Sequence, residues 1–206
     1  MYDAFAEAFA RTRKKPWPDI QEVLSIITDK GYPKLGRVID IGCGSGRLLG
    51  VLKNVDEYVG IDITQGLLDI AKGSYPEHRF ELCDMTHIDA LKLTMFDTVF
   101  FVASYHHILD PKQQTTVLFQ AKKLLAPGGI IVLLNWNLRN QKNATRYENN
   151  WISRSVLDIP FGGHSRHYYA FKLEELRNIY TQCGLKILYH EVSQTHDNFL
   201  SILSLE

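Results

Sequence analysis

From Gly36 onward, short apolar runs alternate with stretches of helical periodicity. Residues 37–41, 57–62, 79–83, 95–103 and 130–134 read as strands, the fourth almost wholly apolar, as suits parallel strands covered on both faces. Between them, residues 47–53, 65–72 and 112–125 carry apolar positions at helical spacing, and the last run stops at Pro127-Gly128-Gly129. Upstream, residues 2–10 and 20–28 predict two helices joined by a basic, proline-bearing turn. Downstream, residues 135–167 lose periodicity and become rich in Asn, Arg and aromatics; residues 173–183 are helical, and 185–190 and 199–203 read as two further strands. A loop that long inside a compact domain is usually a functional lid or carries small elements of its own. The pattern predicts an α/β fold, an open doubly wound sheet with right-handed crossovers, an N-terminal helical cap and an inserted lid.

Composition narrows the function. With 206 residues, 45% of them hydrophobic and 22% charged, the chain has the length and mix of one globular domain. The expected divisions are a cap at 1–31, a core at 36–134, a lid at 135–170 and a C-terminal helix with the last strands at 171–206. Lys and Arg number 23, as do Asp and Glu, so net charge supplies no global pull on nucleic acid. By segment, however, residues 1–18 hold four basic and two acidic side chains and residues 135–170 hold five and two, so positive charge collects at cap and lid. Cys43, Cys83 and Cys183 are far apart and in no CxxC pair, which fits reduced thiols in the cytoplasm; no metal-ligating pattern or membrane-length apolar run is written here, and no targeting segment is expected.

The chemistry begins where the first strand ends, in Asp40-Ile41-Gly42-Cys43-Gly44-Ser45-Gly46. Glycines there let the backbone turn tightly and lie against a ligand. Asp62 closes the second strand, where a carboxylate can accept from both ribose hydroxyls of an adenosine, and Asp84 closes the third, with Met85 beside it to pack on the ring. A dinucleotide fingerprint would need glycine at position 47, which is Arg47, or, starting from Gly44, at Leu49; a Walker loop is absent. The pattern instead resembles the Rossmann-like S-adenosylmethionine-dependent methyltransferases over residues 36–134. That resemblance implies S-adenosylmethionine as cofactor and a seven-stranded sheet, mostly parallel with an antiparallel last strand. It assigns Asp40, Gly42, Cys43, Gly44 and Gly46 to the methionine end, Asp62 and Ile63 to the ribose, Asp84 and Met85 to the adenine, and Ala103 to the end of the fourth strand.

Attack on a sulfonium methyl is an in-line displacement, and a base is needed only when the nucleophile is protonated. The fourth strand ends in Ala103-Ser104-Tyr105-His106-His107, with neither the Asn-Pro-Pro-aromatic motif of exocyclic amine methylation nor the Pro-Cys nucleophile of pyrimidine carbon methylation. On an extended backbone His106 and His107 would face opposite ways, one into the crevice and one into the packing. Work as a general base and a loop-shaping role both stand at this point.

Further segments resemble the wobble-uridine tRNA methyltransferases: the stretch 9–18 with Thr12-Arg13 and Pro16-Trp17-Pro18, His106-His107, Pro127-Gly128-Gly129 followed by Trp136, the block 166–171, and Asp197-Asn198-Phe199. That resemblance implies methylation of a carboxymethyl carboxylate on a tRNA uridine and, in eukaryotic members, a small activator protein. Neither a DNA nor a membrane partner is expected. A carboxylate is already a nucleophile, so orienting arginines matter more than a base; Arg13 and Arg166 lead, with Arg139 and Arg146 as further candidates. Trp17, Trp136, Trp151, Tyr168 and Tyr169 are available for base stacking. His167 and Tyr169 stand where the family has Tyr and His, and the lid is shorter. Two other functions are open on the sequence: methylation of a small carboxylate, amine or hydroxyl, and a cofactor-binding regulatory subunit without activity of its own.

Overall fold

The computed structural model describes Ala6, Glu7, Ala10 and residues 17–93 and 95–205. The helix expected at 2–10 falls largely outside these residues, though Ala6, Glu7 and Ala10 have helical backbone. In chain order the elements are α1 (Pro18–Asp29), β1 (Arg37–Ile41), β2 (Glu57–Asp62), α2 (Gln65–Ser74), β3 (Arg79–Leu82), β4 (Phe96–Val102), α3 (Pro111–Leu124), β5 (Leu125–Asn135), α4 (Gln141–Arg146), β6 (Val156–Asp158), β7 (His167–Tyr169), α5 (Leu173–Gln182), β8 (Leu185–Val192) and β9 (Phe199–Leu205). Seven strands form one sheet in the order β3-β2-β1-β4-β5-β9-β8. β9 runs antiparallel to both neighbours, and β1 pairs in parallel with β2 and β4. The chain winds outward from β1 to β3 and then restarts at β4, so the carboxyl ends of β1 and β4 flank the switch point where ligands bind in open α/β sheets.

Strand alternation divides the apolar residues between two cores. Ile39, Val59 and Phe101 pack on one face with Val117 and Leu118 of α3 and Leu176 of α5. Val38, Tyr58 and Phe100 pack on the other with Ile20 and Val23 of α1 and Leu68 of α2.

Two expected elements differ. Residues 47–53 do not form an α-helix but a single 3₁₀ turn, Arg47–Gly50. Gly46 offers no capping side chain, Gly50 weakens the run from within, and Val51 leaves the helical region at φ −125°. Pro127-Gly128-Gly129 does not separate helix from strand. β5 already begins at Leu125, opposite Phe96, and rejoins the ladder at Ile130 opposite Thr98. Gly128, at φ +79°, carries the bulge, and Pro127 needs no ladder donor there.

The lid has structure of its own. β6 and β7 pair antiparallel, and Leu138, Leu157, Ile159, Tyr168 and Ala170 form a small separate core. Arg139 fastens it: Nε donates to the Ala170 carbonyl at 2.7 Å and Nη2 to the Arg154 carbonyl at 2.5 Å. The cap is fastened too. Buried Asp19 in the first turn of α1 accepts from Ser193 Oγ, from Thr195 Oγ1 at 3.0 Å and from Asn198 Nδ2 at 3.0 Å, while Asn198 Oδ1 accepts from the Asn137 N–H at 3.2 Å. Cap, β8–β9 loop and lid thus meet at one side chain, Asn198. No helix among the described residues is long and apolar enough to cross a membrane.

Candidate active site

The loop after β1 folds back over β2, with Gly42 and Cys43 N–H both donating to the Ile61 carbonyl, at 2.8 and 2.9 Å. Gly42 lies at φ +80°, and a Cβ there would come within 2.3 Å of the Ser104 Cβ, so loop and β4 terminus meet with no room for a side chain. Gly44 N–H donates to Asp62 Oδ2 and Thr64 N–H to Oδ1, each at 2.9 Å. The second-strand carboxylate is therefore fixed by backbone, with further lone pairs on both oxygens. Asp84 caps the turn after β3, its Oδ1 accepting from Thr86 N–H and Oγ1 at 2.8 Å each. Ala103, at the end of β4, takes φ +53°, an uncommon conformation for a residue with a Cβ and of a kind that clusters at functional sites.

These pieces enclose a cavity of about 520 Å³. Asp40, Gly42, Cys43, Gly44, Asp62, Ile63, Asp84, Met85 and Ala103 all line it. Gly46 does not: it is buried behind the loop at φ +75°, where a Cβ would also press on the Tyr75 ring at 3.2 Å, so it is required by the left-handed turn and by packing. Asp40 is buried, with Oδ2 accepting from the Tyr58 hydroxyl at 2.9 Å and Oδ1 without a partner. Burial pushes its carboxyl up to about 7; the Tyr58 bond and Arg47 pull it down, and Asp62 adds to the rise.

The other end of the cavity is aromatic and basic. Residues 105–107 form a 3₁₀ turn rather than an extended strand, so the two imidazoles do not face opposite ways: their ring centroids lie 5.1 Å apart and both pack against Tyr168. His107 lines the cavity. His106 is fully buried behind it, with Nδ1 accepting from the Trp136 N–H at 3.3 Å, which puts the ring proton on Nε2. Burial, and then His107, hold His106 well below the usual imidazole range. His107 is held down to about 4 by burial and then by Arg166, against a hydrogen bond to the His167 carbonyl.

Arg166 is only 5% exposed and lines the same cavity, its guanidinium 5.4 Å from the Tyr168 ring centroid and 4.9 Å from that of Phe161. Trp136 stacks on Tyr168 at 5.3 Å, and Trp17 approaches Trp136 at 5.9 Å. Of the other arginines considered from sequence, Arg13 lies outside the described residues, Arg139 is spent on lid carbonyls, and Arg146 is exposed over Tyr147. Trp151 packs against Arg139, and the Tyr169 hydroxyl donates to Glu175, so neither lines this cavity. Sequence reasoning missed Arg47, whose guanidinium sits 4.1 Å over the Trp17 ring at the cavity wall. Its signal was the cation directly after the third glycine.

Two strand-end carboxylates, apolar contacts from Ile63 and Met85, and an unpartnered buried acceptor on Asp40 fit an adenosine bearing a cationic amino-acid arm. The comparisons agree. Residues 38–129 match the family model described as "Methyltransferase domain". Curated relatives named tRNA (carboxymethyluridine(34)-5-O)-methyltransferase include one from Xenopus tropicalis, 32% identical over 71% of this chain and 22% of that protein. The Saccharomyces cerevisiae protein is 30% identical over 71% and 50%, and the Schizosaccharomyces pombe protein 28% over 92% and 89%. The chain thus spans about a fifth of the length of the vertebrate relatives it matches. Among solved structures, an S-adenosylmethionine-dependent methyltransferase from Clostridium acetobutylicum superposes with TM-score 0.75 at 15% identity, covering 99% of this chain and 98% of that one. An S-adenosylmethionine-bound amino pentose methyltransferase from Micromonospora echinaspora superposes with TM-score 0.71 at 19% identity over 96% and 95%; both share the fold.

Proposed function

Because the chain belongs to the Rossmann-like S-adenosylmethionine-dependent methyltransferases, we propose that it methylates the carboxylate of a carboxymethyl-type modified uridine in tRNA. The observation that carries this reading is the buried guanidinium of Arg166 beside a neutral His107 inside an aromatic-walled cavity. A cation in a desolvated wall selects an anionic acceptor and orients its oxygens. A carboxylate leaves no proton to remove on ester formation, so the site needs no group poised as a base near neutral pH, and the imidazole that faces it is not so poised. Trp136, half-buried at the cavity wall and backed by buried Tyr168, supplies a flat face for a base. The relatives named as carboxymethyluridine methyltransferases support the same substrate class.

When bound, the cofactor supplies a sulfonium-activated methyl group. Asp40 would hold the amino group of its methionine arm, Asp62 the ribose, Asp84 and Met85 the adenine, with Gly42 and Gly44 keeping the backbone close. Arg166 and His107 face the acceptor, and His106 positions Trp136. The reading also carries a small activator protein as partner, to be tested by co-purification.

The test is incubation with labelled methyl donor and either bulk tRNA or a small-metabolite extract, followed by nucleoside analysis. An alkali-labile methyl ester on a uridine derivative is expected. Label confined to the metabolite pool overturns the tRNA reading, and cofactor binding without transfer to either pool overturns the activity.

A further inference from the structure

The lid walls a second cleft. Along β7, side chains alternate between the sheet's two faces: Tyr168, with Arg166 before it, lines the first cavity, while Tyr169 turns away and its hydroxyl donates to Glu175 Oε1 at 2.6 Å. Glu175 belongs to a separate, open cleft of about 800 Å³, where it meets Arg139, Trp151, Arg154 and Lys172. Three cations and one carboxylate line this cleft; with the Arg139 guanidinium bonded to lid carbonyls, Arg154 and Lys172 are the exposed cations. Glu175 accepts from the Tyr169 hydroxyl and, through Oε2, from the Lys172 backbone N–H at 3.3 Å; it keeps its charge, so the cleft carries a net excess of positive charge. None of the three cations forms an ion pair among the described residues. Arg154 and Lys172 are exposed, Arg139 lies 4.9 Å from the Trp151 ring centroid, and the Ser153 and Ser155 side chains complete the rim.

We propose that this cleft between the lid and the start of α5 binds the phosphodiester backbone of the RNA acceptor, beside the cavity that takes the modified base. The inference rests on the tRNA reading above. Exposed guanidinium and ammonium groups with hydroxyls nearby are the groups that contact phosphate oxygens and set register without reading sequence. An aromatic ring at the same place offers a stacking face for an unpaired base. Because Tyr168 lines the first cavity while its neighbour Tyr169 bonds Glu175 in the cleft, a nucleotide in the cleft would fix the register of the base presented next door.

The experiment compares the full chain with the double variant Arg154→Glu/Lys172→Glu and the milder Arg154→Gln/Lys172→Gln. Binding of fluorescent tRNA is followed across salt concentrations, cofactor binding by calorimetry, and the fold by thermal unfolding. The charge reversal is expected to weaken tRNA binding at least tenfold and to flatten the dependence of log K on log salt by about 1.5, with the Gln pair in between. Cofactor affinity and methylation of the free modified nucleoside stay as in the parent chain. Unchanged tRNA affinity and slope overturn the site. Equal competition by single-stranded DNA of the anticodon-loop sequence overturns its assignment to RNA. A parent chain that does not bind tRNA even at low salt overturns instead the acceptor reading on which the site rests.

Discussion

The Trp136 N–H donates to Nδ1 of His106 at 3.3 Å, and this bond separates the two adjacent histidines in function. A ring whose Nδ1 is occupied as an acceptor, and whose other edge lies in the core near Asn135, cannot take a proton from an acceptor in the cavity. It can hold the first residue after β5 in place, and that residue is the tryptophan that walls the cavity.

His106→Ala leaves the part-buried Trp136 N–H without its acceptor and opens a hole in a packed aromatic cluster. A loss of roughly 2–4 kcal/mol is expected, read as a fall in Tm. His107→Ala, at the cavity surface, should leave Tm within a few degrees while raising the acceptor KM. Scanning calorimetry and steady-state kinetics check both. His106→Asn, which restores an acceptor, should recover more acceptor binding than His106→Ala; equal effects of all three variants on Tm and KM would refute the division of labour.

The neutral state of His107 predicts the shape of the pH profile. With its imidazole held down to about 4, it does not ionise across the working range, so kcat is expected to show no acid limb attributable to it between pH 6 and 9. Its effect on stability has a defined sign. The unfolded ring titrates near 6.5 and the folded one near 4, so its contribution to stability is present above 6.5 and is lost as the pH falls toward 4. A His107→Gln variant should lose this part of the acid sensitivity in urea unfolding.

Asp40 titrates with the opposite sign. Its folded value of about 7 lies above the ordinary 3.8, so the folded chain holds this proton more tightly. The contribution is full below 3.8 and is lost as the pH rises to 7. Asp40→Asn keeps an acceptor for the Tyr58 hydroxyl and removes the buried charge. Above pH 7 the ligand-free variant should therefore be more stable than the parent, by on the order of 4 kcal/mol at most, while binding S-adenosylmethionine at least tenfold more weakly. Thermal unfolding with and without cofactor separates the two effects.

The strand ends were readable because burial on both faces of a parallel sheet writes an unbroken apolar run that the chemistry must interrupt. Asp62 marks the end of such a run, Asp84 the end of the alternating edge strand β3, and both reach the cavity. What stayed hidden depends on contacts distant in the chain. The facing of His106 is set by an N–H thirty positions away. Arg139 resembled an acceptor ligand, but the oxygens it binds, on Ala170 and Arg154, are backbone carbonyls that no sequence pattern displays. β6 and β7, at three residues each, are too short for a period to show. Pro127-Gly128-Gly129 reads as a stop under local rules, and only the ladder from Phe96 to Thr98 shows that it is a bulge within a strand.

Arg166→Gln tests the acceptor site through two linked readouts. Removing the buried cation takes away the group that orients a carboxylate, and kcat/KM for the RNA acceptor is expected to fall about a hundredfold, equivalent to ~2.7 kcal/mol, with cofactor affinity unchanged. The same cation is the second cause, after burial, of His107's lowered value, so its loss should raise the His107 pKa from about 4 toward the ordinary range. The residual activity of Arg166→Gln should then acquire an acid limb absent from the parent, and the His107 ring signal in an NMR titration should move with it. Arg166→Lys keeps the charge without the planar fork: it should hold His107 low yet recover only part of the lost kcat/KM. A hundredfold loss with no change in the His107 titration would mean that guanidinium and imidazole do not share one site.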